Sequence, residues 1–480
     1  MKKKLRILYI STEISPFNAE SPLSEVSFHF TRYCRAQGHD IRVVMPRYSF
    51  IRDRKYNLRE VIRLREIPVP LGGRLLQVAV KSGFIPDTKV QVYFLEHEKY
   101  LSREGVTINP ETGKLYSDSD ERFIVFSRAV VEMLKILSWQ PQIIHAPDWT
   151  AALTAYYLNS MYAGEHFYAD SKVVLAIADY ENSGSFPRPA VFKAGIDPDT
   201  FLPGSDIELN GNFNFLKAGV LFSKKVVING DSSLEEFAEP FKSWFKDYIK
   251  TRAEDVHRIP FGIDNKIWSP DKDEKLTAVY SHKDTAAKIE NKEMLLEKYS
   301  LKAKPQSALI GCVWEGGDYS FLREIVKFLE AEDLSLVIAD KTAAEDLLTK
   351  FSETAPGRIG AVKLLTSLTL KQLVAGSDFL ILAPGKYRDL LHYKAAKYGS
   401  LPITPCCGFF ADDIGEIDDK LPGFFYDQKD AHSLVKTMSH ALSIYKEEKA
   451  WSKMQKKAMK FDSGWNKVAR AYLDVYNEIA

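Results

Sequence analysis

Apolar residues occur along this chain in short runs separated by longer amphipathic stretches. Residues 5–10 form one such run. From 23 to 37 apolar positions recur at helical spacing, and Gly38 follows where a helix C-cap favours positive φ. A second apolar run, 41–45, begins two residues later, predicting a β-α-β unit with parallel strands buried on both faces. The alternation recurs as strand 142–146, helix 150–162, strand 173–177, helix 211–223 and strand 226–228. The first half reads as an open, doubly wound sheet.

A new series of strands follows at 308–313, 334–338, 379–382 and 401–404, separated by helical stretches such as 321–330 and 389–398. Between the two series lies Arg258-Ile259-Pro260-Phe261-Gly262-Ile263-Asp264, then Trp268-Ser269-Pro270-Asp271, a natural hinge or linker. The last helix, 465–479, carries Val468, Tyr472, Val475 and Tyr476 at helical spacing. The expected division is 1–258, 259–462 and a closing segment 463–480, an α/β protein of two Rossmann-like domains facing one another. No internal repeat or low-complexity tract interrupts it.

Composition narrows the functions open to this architecture. Against 65 Lys+Arg stand 64 Asp+Glu, a formal net charge of +1. The long-range field that draws proteins to nucleic acid or acidic membranes is missing, so neither partner is expected. Cys34, Cys312, Cys406 and Cys407 have no C-x-x-C spacing, which argues against a disulfide framework or structural zinc and for a reducing cytoplasm. The apolar run after the basic N-terminus is too short for a signal sequence or a bilayer span. No H-x-x-x-H, H-E-x-x-H or G-x-S-x-G pattern occurs, so no metal, cofactor or hydrolase triad is expected.

The motifs carry a resemblance over nearly the whole chain. Glu13-Ile14-Ser15-Pro16-Phe17 after the first strand, and later Gly38-His39-Asp40 and Val43 to Tyr48, resemble the start of bacterial glycogen and plant starch synthases. His145-Ala146-Pro147-Asp148-Trp149 resembles that family's H-A-H-D-W. Glu208-Leu209-Asn210-Gly211 and Phe215-Leu216-Lys217-Ala218-Gly219 resemble E-F-N-G and F-L-K-A-G. Glu290-Asn291-Lys292 resembles E-N-K, and Trp465 to Tyr472 the closing W-x-x-V-A-x-x-Y. The resemblance implies the GT-B architecture, with the acceptor glucan mainly on the first domain, ADP-glucose mainly on the second, and the last helix crossing back to the first.

Retaining glucosyl transfer must stabilise a departing pyrophosphate, and cations with aimed main-chain N–H groups supply most of that stabilisation. At the positions the resemblance assigns to these groups, this sequence departs from the family. Ala19 stands for the lysine of K-T-G-G-L, and Ser21 and Pro22 for its glycines. Proline has no N–H to donate, although Ser21 and Pro22 suit a helix start. Ala178 replaces the donor-sugar histidine. Glu315 and Ser320 replace the arginine and lysine that grip the diphosphate. Pro384 to Leu390 lacks the E-P-C-G core.

Asp148 alone is carried over among the polar chemical positions, as a substrate-site carboxylate or as an N-cap for the helix at Thr150. Candidates for residual ligand binding are Asp148, Glu208, Asn210, Gly211, Lys217, the phosphate-nest pair Gly316-Gly317, and Lys386. One reading is a synthase-like protein with impaired or absent activity, retained to bind α-glucan or to regulate an active glycogen synthase. A second is an active glycosyltransferase with changed donor or acceptor, using Lys386, Arg388 or Lys217 as substitute cations for a nucleotide sugar. A third is a structural protein with no ligand.

Overall fold

The computed structural model describes residues 4–18, 22–178, 182–229, 242–314, 320–340, 353–382, 390–406, 414–415 and 420–480. It divides into two compact units, with the chain passing from the first to the second at Phe261–Gly262 and returning at Gly464–Trp465.

The first unit is built on a sheet whose parallel part contains β1 (Arg6–Ile10), β2 (Asp40–Pro46), β3 (Gln91–Glu96), β4 (Ile143–Pro147), β5 (Lys172–Ile177), β6 (Lys225–Ile228) and β7 (Val256–Arg258). Their order is β7-β6-β5-β4-β1-β2-β3, and antiparallel strands Arg74–Phe84 and Arg59–Glu60 extend it beyond β3. Ile7 to Ile10 and Ile143 to Ile144 have no exposed surface. Such two-sided burial is why these strands read as unbroken apolar runs rather than alternating ones. Helix α1 (Pro22–Ala36) joins β1 to β2 and ends before Gly38, which takes φ +83° and donates its N–H to the Arg35 carbonyl. Further helices are α2 (Ser119–Leu137), α3 (Asp148–Tyr156), α4 (Phe215–Phe222) and α5 (Lys242–Thr251). The helix expected to continue to residue 162 gives way after Tyr156 to a π-helical turn, Tyr157–Met161. There the Asn159 amide donates to the carbonyls of Ala155 and Phe222, tying the widened turn to the end of α4.

The second unit carries a wholly parallel sheet of β8 (Ala308–Trp314), β9 (Leu334–Asp340), β10 (Ile359–Val362), β11 (Phe379–Leu382), β12 (Leu401–Pro405) and β13 (Phe424–Tyr426). Its order is β10-β9-β8-β11-β12-β13. Helices α6 (Lys288–Lys298), α7 (Ser320–Ala331) and α8 (Ser367–Gly376) belong to this unit. The final helix, α9 (Trp465–Ile479), rejoins the first unit and packs on α1. Trp465 stacks on His29 with ring centroids 5.0 Å apart, and Phe30 lies against Tyr472 and Tyr476. Val468, Ala469, Tyr472 and Tyr476 join the core cluster that contains Tyr9, Val43 and Ile143.

Candidate functional site

In an open parallel sheet, ligands bind beyond the carboxyl ends of the strands where the strand order reverses. In the first unit that point lies between β1 and β4, because β1 has β2 on one side and β4 on the other. The backbone leaving β1 is held tightly. Ser11 Oγ donates to the Glu13 carbonyl at 2.5 Å and lies 2.9 Å from Ser27 Oγ on α1, while Tyr48 donates its hydroxyl to the Thr12 carbonyl.

Asp148 follows β4 directly. It is buried, with φ +53°, a left-handed conformation that costs most residues energy and that Asp and Asn tolerate best. Its Oδ1 accepts the main-chain N–H of Ala178 at 2.7 Å, linking the ends of β4 and β5. The helix starts at Asp148 itself with Pro147 at the N-cap, so Asp148 does not occupy the capping position expected of it before Thr150. Ala178 places only a methyl group beside the switch point, and its N–H is already given to Asp148.

His145, two residues before Pro147 on β4, is fully buried. Its ring stacks on Tyr9 at 4.4 Å between centroids, and Nδ1 lies 2.7 Å from the Tyr476 hydroxyl of α9. Nε2 has no hydrogen-bond partner among the described residues, and burial pushes the imidazole pKa down to about 3. One turn earlier on α9, Tyr472 donates to Asn229 Oδ1 at 2.7 Å, and Asn229 donates to the Ile259 carbonyl at the same distance. The histidine of this motif is therefore a core group that seats α9 behind the strand ends.

The E-L-N-G and F-L-K-A-G segments form a scaffold. Strands Glu208–Leu209 and Asn212–Asn214 pair through Leu209↔Asn212, leaving Asn210-Gly211 as a two-residue turn with φ +53° and +80°. Positive φ at both positions is what a type I′ hairpin turn requires. The Glu208 carboxylate accepts N–H groups from Gly204 and Gly211, and these bonds hold its pKa below the usual carboxylate range. Lys217 Nζ donates to the carbonyls of Ser205 and Glu208, both at 2.8 Å, and burial lowers its pKa. Asn214 caps α4 by accepting the Lys217 N–H. A Cβ at Gly219 would stand 2.5 Å from that of Ala152, so this glycine lets α3 and α4 approach closely. The Asn-Gly pair is itself a hairpin signal that a reading for chemistry passed over.

In the second unit the switch point lies between β8 and β11. Glu315, Gly316, Gly317 and Lys386 lie outside the described residues, as do Ala19 and Ser21 of the first unit; Pro22 opens α1 and Ser320 opens α7. The E-N-K segment lies on α6 and works in packing. Lys292 pairs with Asp378 at 2.7 Å with both side chains buried, and Asp378 also accepts the Leu309 N–H. Asn291 Oδ1 accepts the Thr277 N–H. One turn before Lys292, Lys288 donates to the carbonyls of Val374, Ala375 and Tyr398, and burial pushes its pKa down to about 7. Lys371 is held by Asp273 at 2.8 Å. Among the described residues no three His, Cys, Asp or Glu side chains converge as a metal site would require, and no helix is long and apolar enough to cross a membrane.

Residues 6–249 match the starch synthase catalytic domain. A glycogen synthase from Chlorobaculum parvum is 30% identical over 489 residues, an alignment covering 100% of this chain and 99% of that protein. The chain belongs to the glycogen and starch synthase family. A second family member, a glycogen synthase from Chlorobaculum tepidum, is 30% identical over 488 residues, with 100% of this chain and 99% of that protein covered. Among solved structures, the catalytic domain of starch synthase IV from Arabidopsis thaliana, bound to ADP and acarbose, aligns with a TM-score of 0.77 at 21% identity, covering 99% of each chain. A sucrose-phosphate synthase from Thermosynechococcus elongatus aligns over 99% of each chain with a TM-score of 0.53 at 12% identity. The fold is GT-B, and the chain is a glycogen synthase-like glycosyltransferase.

Proposed function

We propose that this family member has lost most or all of its capacity to transfer glucose from ADP-glucose, and that it acts in the cytoplasm as a glucan-binding or regulatory protein beside an active synthase. The division into an acceptor side, 1–258, a nucleotide-sugar side, 259–462, and a closing helix segment, 463–480, belongs to the same reading. The observation that carries it is Ala178. At the end of β5, beside the switch point, the side chain is a methyl group and the N–H is committed to Asp148. No donor remains at that residue for a sugar hydroxyl.

The sequence supports the same conclusion elsewhere. Ala19, Glu315 and Ser320 stand where the resemblance places lysine, arginine and lysine. Each lost transition-state donor is worth ~3 kcal/mol, so two or three together would slow transfer by several powers of ten. Lys217, the substitute cation that the alternative reading offers in the first unit, is taken up by two main-chain carbonyls.

The test is incubation of the purified full chain with glycogen and labelled ADP-glucose or UDP-glucose. The reading expects no incorporation above a protein-free control. Clear incorporation would refute it in favour of an active transferase with altered donor or acceptor, which thermal stabilisation by a nucleotide sugar would then identify.

A further inference from the structure

The balanced total charge conceals an uneven distribution in the second unit. Its helix Glu448–Lys460 has five lysines and a single acidic residue, Glu448. This helix packs against the helices Leu391–Lys397 and Ala431–Tyr445 and buries Gln455, Ala458 and Met459. Gln455 donates to the Gly399 carbonyl at 3.0 Å, and Trp451 packs on Phe379 and Tyr445 with ring centroids 5.0 and 4.9 Å away.

On the opposite face stand Lys449, Lys453, Lys456 and Lys460, at intervals of four, three and four residues. These steps keep successive side chains on one helix face, so the four form a single row about 16 Å long. Lys449, Lys453 and Lys460 are exposed and Lys456 is half-buried. Among the described residues none of the four pairs with a carboxylate, whereas Lys446, just before the helix, lies 3.4 Å from Glu332. Like charges at these spacings repel, and Lys449 stands in the first turn, where the helix dipole disfavours a cation. Helix stability therefore does not account for the row.

The helix carries no arginine, whose forked guanidinium grips phosphates in pairs, and its tryptophan is engaged in packing, so it offers no platform for a nucleic-acid base. None of its large apolar side chains is exposed to enter a lipid layer. The row is one side chain wide. Another α-helix with Asp or Glu at intervals of four, three and four repeats its spacing, and laid alongside would set a carboxylate opposite each ammonium. The spacing reads the same in both directions, so parallel and antiparallel partners both match.

We propose that the lysine row of helix Glu448–Lys460 is a docking surface for an acidic helix of a partner protein, held by matched rows of opposite charge. Such docking serves an active or an inactive chain alike.

The experiment titrates the full chain into labelled alanine-based helical peptides at low ionic strength, where exposed charges are least screened, and reads fluorescence anisotropy. One peptide carries glutamates in the four-three-four row, and an isomer of the same composition spreads them around its helix. The wild type should bind the row peptide at least fivefold more tightly than the isomer. The double variant Lys449→Glu, Lys453→Glu changes two exposed positions and relieves repulsion, so its fold is kept, which thermal unfolding checks. It should lose that preference and bind instead a peptide with a row of lysines. Lys272→Glu with Lys275→Glu, the same charge change at exposed positions off the row, should behave as the wild type. Equal binding of both glutamate peptides by the wild type, or an unaltered preference in the Lys449 and Lys453 variant, would overturn the surface. Tighter binding of duplex DNA or of vesicles of anionic phospholipid than of the row peptide, abolished by the same reversal, would overturn the helical partner.

Discussion

Asp148 and Ala178 meet across the ends of two adjacent parallel strands, the carboxylate accepting the alanine N–H at 2.7 Å. Asp148 does this from a left-handed backbone conformation with φ +53°. Asp148→Asn keeps an acceptor oxygen and a residue that tolerates positive φ, so its stability should lie within ~1 kcal/mol of wild type. Asp148→Ala leaves the Ala178 N–H unpaired and strains the backbone, and should lose ~2–4 kcal/mol by urea unfolding. Equal stability of the two variants would contradict this role.

His145 makes stability depend on pH. Its pKa falls to about 3 in the folded protein through burial, whereas an unfolded histidine titrates near ~6.5. Between these values the unfolded chain binds the extra proton. The contribution is therefore complete above about pH 6.5 and is lost progressively as pH falls towards 3, on the order of 5 kcal/mol in all. His145→Phe, which can still stack on Tyr9, should reduce the slope of unfolding free energy against pH by close to one proton in that window. An unaltered slope would rule this out.

Gly219 and Ala152 set the approach of α4 to α3. Gly219→Ala should cost ~1–3 kcal/mol by overpacking. Adding Ala152→Gly removes the opposing methyl group and should recover most of the loss. The double variant's unfolding midpoint checks the coupling, and simple additivity would mean the helices do not meet through these residues.

The Lys292–Asp378 pair is buried on both sides, so removing one partner strands the other charge. Lys292→Met should destabilise by ~3–5 kcal/mol in chemical denaturation. A loss below ~1 kcal/mol would mean that water reaches the pair.

Nine of the thirteen parallel strands could be read from the chain to within a residue or two, because burial on both faces leaves apolar runs such as Ile7–Ile10, while β3, β7, β10 and β13 were not foreseen. The antiparallel extension was not foreseen. Strand Ile67–Leu71 alternates buried and exposed positions and carries Pro68 and Pro70 at exposed ones, a pattern that local propensity scores poorly. For the site, residue identity indicated where Ala178 and Asp148 belong but not how they are joined. Their hydrogen bond depends on the register between β4 and β5, a long-range property. Motif similarity alone also left open what His145, Lys217 and Lys292 do, since a matched motif does not separate a ligand contact from a packing contact.

The return of α9 has a consequence for synthesis. The core around Tyr9 and His145 takes Tyr472 and Tyr476 from the closing helix, after Gly262–Gly464 has intervened. A ribosome that has completed β7 has therefore not yet made these rings, and the nascent first unit must wait with an open apolar seam along α1. Co-translational folding of this half stops one helix short, leaving a surface for chaperones until α9 has been made.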